Sequence, residues 1–251
     1  MSDENKEFDM TTRVAIVTGA SRGIGRSIAL RLAAAGQSVV VGYAGNKDAA
    51  EAVVTEIKDN GGEAFAYGAD VAEETEVAAL FTETTDRFGG VDVVVHSAGM
   101  MALAPVADFD LAVLDRMHRT NIRGTFVVNQ QAARHVRGGG AIINLSTSVK
   151  KLGLAGYAPY AASKGAVDAI SLVLAKELAG RDITVNAVAP GPTATDLFLD
   201  GKDEATIDRM AKMNPMHRLG APEDIAEVVA FLAGPGRWVN AQTVYANGGM
   251  V

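Results

Sequence analysis

Two side chains in Tyr160-Ala161-Ala162-Ser163-Lys164 are spaced to do chemistry together. A phenol and an ammonium at i and i+4 share one face of a helix. A neighbouring cation favours the phenolate, which predicts a Tyr160 pKa below the usual value of about 10. Such a phenol suits proton transfer to or from a carbonyl oxygen. The spacing alone is weak, because Tyr43 and Lys47 repeat it. That second pair follows an apolar run and straddles Gly45, which disfavours helical spacing. Upstream of Tyr160, Ser146-Thr147-Ser148 ends another apolar run. A hydroxyl there can donate to a substrate carbonyl, and the spacing leaves open which of the three does so. Asn121 falls inside a long helical pattern, where asparagine is a poor helix former. A kink held by water would let it join a proton relay, but spacing alone favours a tolerated surface residue.

A second constellation binds rather than reacts. Thr18-Gly19-Ala20-Ser21-Arg22-Gly23-Ile24-Gly25 follows a short apolar run and precedes a helical pattern. Its Gly-x-x-x-Gly-x-Gly spacing matches the physics of a dinucleotide loop. Gly19 makes the tight turn, Gly23 admits phosphate oxygens to the backbone, and Gly25 allows close packing of helix on strand. Sites selective for NAD place an acid after the second strand. Here Gly42-Tyr43-Ala44-Gly45-Asn46-Lys47 stands there, with no acid before Asp48. Arg22 lies near a helix N-terminus, where a cation is unfavourable unless an anion is close. Arg22, with Asn46 or Lys47, is therefore expected to hold a 2′-phosphate, which favours NADP(H) over NAD.

The elements that must position these residues alternate along the chain. Apolar runs cover residues 14–17, 38–41, 64–67, 91–95, 141–145, 183–188 and Thr243–Ala246. Helical patterns lie between them, including a long one over 111–135 and another from Tyr160 to Leu178. Near-continuous apolar runs are what strands buried on both faces look like. The expected fold is a doubly wound, mostly parallel α/β sheet of about seven strands, of the Rossmann type, with helices on both faces. Residues 138–140 read as a glycine turn ahead of a strand.

The composition sets outer limits. The 251 residues carry a net charge of −7 and no cysteine. Missing thiols exclude disulfides, thiolate metal sites and a cysteine nucleophile, and no metal is expected. The acidic balance argues against nucleic-acid or anionic-membrane binding. No run approaches the length of a membrane span. Residues 1–10 read as a disordered acidic tail rather than a signal peptide, and 11–251 as one domain. Lys150, Lys151, Arg123 and Arg137 read as scattered surface cations; reception of an acidic carrier protein is the sharper alternative. Leu197, Phe198, Leu199, Met210, Met213 and Met216 make residues 195–219 apolar and adaptable, as lid core or substrate contact.

Taken jointly, these motifs resemble the short-chain dehydrogenase/reductase family, nearest its 3-oxoacyl-carrier-protein reductase-like and trihydroxynaphthalene reductase-like members. The match runs from about Arg13 to Val251 and includes Asp70-Val71, Ala98-Gly99 and Pro190-Gly191. The resemblance implies that Tyr160 donates the proton. It implies that Lys164 binds the nicotinamide ribose and lowers the Tyr160 pKa, and that Asn121 holds a relay water. Asp70 and Val71 would meet adenine, and Ala98 and Gly99 the adenosine ribose. Pro190, Gly191, Thr193 and Thr195 would hold the carboxamide and phosphate side. The family often has asparagine where His96 stands, and His96 is expected to be a packed strand-end residue. The family separation from Tyr160 lands on Thr147, with Ser146 and Ser148 on either side.

The implied activity is NADPH-dependent reduction of a ketone to a secondary alcohol, the ketone being a 3-oxoacyl thioester or a small or aromatic one. Oxidation of an alcohol, sugar or steroid by the same residues is one alternative. A non-catalytic NADP-binding sensor is another, though it would be expected to lose Tyr160 or Lys164. A cytoplasmic homotetramer acting on a small carbonyl substrate, carrier-bound or free, completes the expectation.

Overall fold

The computed structural model describes residues 12–251, so the expected acidic tail over 1–10 lies outside the described residues. One sheet carries β1 (Val14–Thr18), β2 (Ser38–Tyr43), β3 (Ala64–Gly68), β4 (Val91–His96), β5 (Val136–Leu145), β6 (Thr184–Pro190) and β7 (Thr243–Ala246). Their order is β3-β2-β1-β4-β5-β6-β7, and every neighbouring pair is parallel.

Both faces are covered, which is why the strands read as continuous apolar runs. Ala15, Val17, Val39, Val41, Val93 and Val95 point to one core. They meet Ile28 and Leu32 of α1 (Gly23–Ala34), Val53 and Ile57 of α2 (Lys47–Asp59), and Ile225 and Val229 of α10 (Pro222–Ala233). Ile16, Val40, Val94 and Ile142 point the other way. Their partners are Leu80 and Phe81 of α3 (Glu74–Phe88), Val128 of α5 (Gly124–His135) and Leu174 of α7 (Ala158–Glu177). Each such buried side chain contributes about 1.5–3 kcal/mol, so the strands are rigid mounts for whatever stands at their ends. β1 and β4 are neighbours at the point where the strand order reverses, and a crevice opens beyond their carboxyl ends.

Two elements differ from the sequence reading. β5 starts at Val136 rather than after the glycines. Its pairing with β4 jumps from Val91↔Val136 to Val93↔Ala141, so residues 137–140 bulge out of register. The long helix over 111–135 is three pieces: α4 (Leu111–His118), a wide π-helical turn (Arg119–Arg123), and α5. Asn121 sits in that wide turn and is fully buried, so it is no surface residue. π-turns of this kind recur at functional sites.

Candidate active site

The crevice begins where β1 gives way to α1. Gly19 has φ +65°, and a Cβ there would lie 2.8 Å from the Ala98 backbone. A Cβ on Gly25 would come within 2.2 Å of Gly19 O. Neither position can carry a side chain without moving backbone, so the loop is drawn tight against the end of β4. Gly23, with φ +54°, opens α1, and a Cβ there would lie 3.3 Å from the Thr195 methyl. Arg22, exposed, precedes that helix with an extended backbone, and Ser21 and Ile24 flank it.

One cavity of about 800 Å³ runs from this loop across the strand ends. Tyr43, Ala44 and Asn46 line it after β2, Asp70 and Val71 after β3, and Ala98 and Gly99 after β4. Pro190, Gly191, Thr193 and Thr195 close the far side after β6. Lys47 does not line it, so the suggestion that Lys47 helps Arg22 is not supported. Asn46 Oδ1 accepts from Ala49 N at 3.0 Å and caps α2, which leaves its amide nitrogen as the group to meet an anion. The Asp70 carboxylate accepts from Ala72 N at 2.9 Å and from Arg119 at 2.7 Å. These bonds outweigh its burial and hold its pKa below the usual carboxylate range.

The reactive side chains come from the turn after β5 and from α7. Tyr160 is in the first turns of α7, half-buried, and the Thr147 hydroxyl lies close enough to its phenol to lower its pKa. Burial, with the adjacent Tyr157, pushes the phenol up to about 12, against which the Thr147 bond acts. The expected lowering by Lys164 is therefore not found. Lys164 Nζ turns instead to Leu145 O, 2.7 Å away at the end of β5. Burial pulls this ammonium down to about 8, partly opposed by Asp168 and reinforced by Lys150.

The three hydroxyls are now distinguishable. Ser148 donates to Ala189 O at 3.1 Å and accepts from Asn247 at 3.1 Å. Ser146 accepts from Lys150 Nζ at 2.9 Å and donates toward Lys164 O at 3.4 Å. Thr147, whose Oγ1 accepts from Val149 N at 3.3 Å, is the one of the three that acts on the Tyr160 phenol. Asn121 does not line the cavity. Its side chain brackets Met100, accepting from the amide and donating to the carbonyl at 2.9 Å each, and donates to Ser163 at 3.0 Å. Asn121 Oδ1 and Lys164 Nζ nevertheless border the same residue, lying 3.3 and 3.4 Å from where a Cβ on Gly99 would be.

His96 is packed as expected, 2% exposed, with Nδ1 2.9 Å from Thr18 Oγ1. Burial, with Lys164 nearby, pulls it down to about 3, so it is neutral and no base. Of the four cations read as scattered, three are tied into the fold: Arg123 to Ala72 O, Arg137 to Asp92, and Lys150 to Asp168. Lys151 stands 4.4 Å over the Tyr245 ring. Sequence reasoning missed Asp168 and Tyr157. Asp168 continues the i, i+4 stripe of Tyr160 and Lys164, which is the signal that could have found it. Leu197, Phe198 and Met210 line the cavity, whereas Leu199, Met213 and Met216 are exposed.

Comparison with known proteins agrees with this geometry. A family model described as enoyl-(acyl carrier protein) reductase matches residues 19–251. A short-chain type dehydrogenase/reductase of Picea abies is 46% identical, over 95% of this chain and 92% of its own. A 3-oxoacyl-[acyl-carrier-protein] reductase of Staphylococcus aureus is 44% identical, over 95% and 98%. Among solved structures, the angucycline C-6 ketoreductase LanV with bound NADP superposes with a TM-score of 0.90. It is 36% identical, and the match covers 96% of each chain.

Proposed function

The chain belongs to the short-chain dehydrogenase/reductase family, and on that premise we propose that it is an NADPH-dependent carbonyl reductase converting a ketone to a secondary alcohol. One observation carries the reading: the tight glycine loop and the Thr147, Tyr160 and Lys164 side chains line one cavity. NADPH, when bound, supplies the hydride. The glycine loop and the amide groups opening α1 would hold its phosphates. Arg22 and Asn46 would hold its 2′-phosphate, and the 190–195 segment its carboxamide side. An NADP-bound relative supports the choice of nucleotide.

Tyr160 gives its proton to the substrate oxygen. Burial keeps this phenol protonated near neutrality, in the form that has a proton to give. Thr147 orients the carbonyl. Lys164, its ammonium pulled down to about 8 and bordering Gly99 together with Asn121, would restore the Tyr160 proton.

Met100, Met101, Leu152, Leu154, Leu197 and Phe198 line the cavity beside this cluster. That lining fits an apolar ketone: a 3-oxoacyl thioester or a small or aromatic ketone. A relative named for carrier-bound substrates supports the first of these. The reading includes a homotetramer, on the exposed apolar side chains of Phe126 on α5 and Leu172 and Val173 on α7. No helix among the described residues is long and apolar enough to cross a membrane.

The test is NADPH oxidation against a panel of ketones, with Tyr160→Phe alongside. Turnover with at least one ketone is expected, and the variant should lose about 10²–10⁴-fold in kcat while still binding NADPH. Equal turnover by the variant would remove Tyr160 from the chemistry.

A further inference from the structure

Lys150 lies in the short helix α6 (Val149–Leu152), three residues beyond Thr147. Its side chain is only 13% exposed. Nζ donates to Ser146 Oγ at 2.9 Å and to Thr147 O at 3.0 Å, and pairs with Asp168 Oδ2 at 2.8 Å. Of its three N–H donors, two make these hydrogen bonds, and the charge is balanced by the Asp168 ion pair. The Tyr245 ring of β7 lies 4.9 Å from the same nitrogen. This ammonium is enclosed and held by two hydrogen bonds and an ion pair, unlike an ordinary surface cation.

The partners are arranged for a purpose. Tyr160, Lys164 and Asp168 follow one another at intervals of four along α7, so phenol, ammonium and carboxylate share one stripe. The Thr147 hydroxyl meets the first member of that stripe. The Thr147 carbonyl is tied through Lys150 to the third. The turn carrying the hydroxyl is thus cross-linked to the helix carrying the phenol, at both ends of the stripe. Short turns keep a hydroxyl within reach of a reacting oxygen only if something fixes them, and displacement of about 1 Å can cost about 10²-fold in rate.

We propose that Lys150, anchored by Asp168, is a positioning residue that holds the turn bearing Thr147 against Tyr160 and sets the charge felt by Lys164. The proposal rests on the carbonyl-reductase reading. The titratable groups facing Lys164 are Tyr160 and Asp168 on its own helix, Lys150 on α6, and His96 at the end of β4. His96 stays neutral, leaving the lysine and the carboxylate as the two fixed charges. They act on Lys164 in opposite senses, Lys150 lowering its pKa and Asp168 raising it. A pair that merely stabilised the fold would not require turnover to depend on it.

The test uses Lys150→Met and Asp168→Asn in the full chain. Each should lose about tenfold or more in kcat, with the Kd for NADPH measured by fluorescence within about twofold of the parent. The Lys164 ammonium is followed directly by nitrogen NMR in the cofactor-free protein. Its titration should move to higher pH in Lys150→Met and to lower pH in Asp168→Asn. Unchanged kcat in either folded variant overturns the positioning role, and shifts of the same sign overturn the electrostatic one. If Lys150→Met does not fold, the isosteric Asp168→Asn decides by itself on kcat and on the downward shift. Tyr160→Phe is assayed in parallel: full turnover there defeats the reductase reading, whereas its loss together with unchanged Lys150→Met and Asp168→Asn defeats this inference alone.

Discussion

Ser148 faces Ala189 and Asn247, Ser146 faces Lys150 and the α7 backbone, and Thr147 faces the phenol. These partners come from β6, α6, α7 and the chain beyond β7, so local spacing had no access to them. That is why the sequence narrowed the hydroxyl to three and tertiary packing was needed to separate them. The same reason explains the Tyr160 phenol. Helical spacing placed Lys164 beside it, but the ammonium found a backbone carbonyl at the end of β5. The division of labour has a measurable consequence. Thr147→Ala should lower kcat about 10²-fold with little change in the Kd for NADPH, as expected when a donor to a reacting oxygen is removed. Ser148→Ala should instead leave Asn247 and Ala189 short of a partner. It should cost about 1–3 kcal/mol in urea unfolding while kcat stays within a few-fold. Steady-state kinetics and denaturation curves on the two variants distinguish the outcomes, and a larger kcat loss in Ser148→Ala would reverse the assignment.

At the scale of elements, all seven strands were legible, most plainly β1, β2, β4 and β6, which are buried almost throughout, whereas the edge strand β7 is only partly buried. Two features were not. The bulge over 137–140 depends on register against β4, and the π-turn at Asn121 depends on a hydrogen-bonding pattern that residue types do not announce. The end of β4 illustrates what an element can impose on one side chain. His96 is locked against Thr18 at the end of β1 and is neutral, with its pKa pulled to about 3 from 6.5. Below pH 6.5 the unfolded chain takes up a proton that the folded chain refuses. Stability is therefore present above that value and is lost as pH falls toward the folded pKa. The loss from this group amounts to about 2 kcal/mol at about pH 5. His96→Asn removes the titration, so the variant should gain on the parent as pH drops from about 7 to about 5. Urea unfolding of both proteins across that range measures it. A constant difference between them would mean that His96 is protonated in the folded protein after all.

At the scale of the whole molecule, the charge of −7 argued against anionic partners, yet the proposed cofactor is itself a polyanion. The two statements are compatible because binding is decided locally. The loop from β1 into α1 presents the positive end of a helix, and Arg22 stands at that end, exposed and lining the cavity. Selectivity for the 2′-phosphate should then rest chiefly on one guanidinium, with the net charge of the molecule contributing little. A charge-assisted hydrogen bond of this kind is worth about 1.5–3 kcal/mol, or roughly ten- to a hundredfold in affinity. Arg22→Ala should raise the Kd for NADPH by that factor and leave the Kd for NADH within about twofold. Screening adds a second sign. Exposed charges weaken with ionic strength, so added salt should raise the NADPH Kd of the parent more than that of Arg22→Ala. Fluorescence titrations of both nucleotides at low and high salt test the two signs together. Equal losses for NADPH and NADH in Arg22→Ala would place the arginine on the shared pyrophosphate and move 2′-phosphate recognition to the Tyr43–Asn46 side of the cavity.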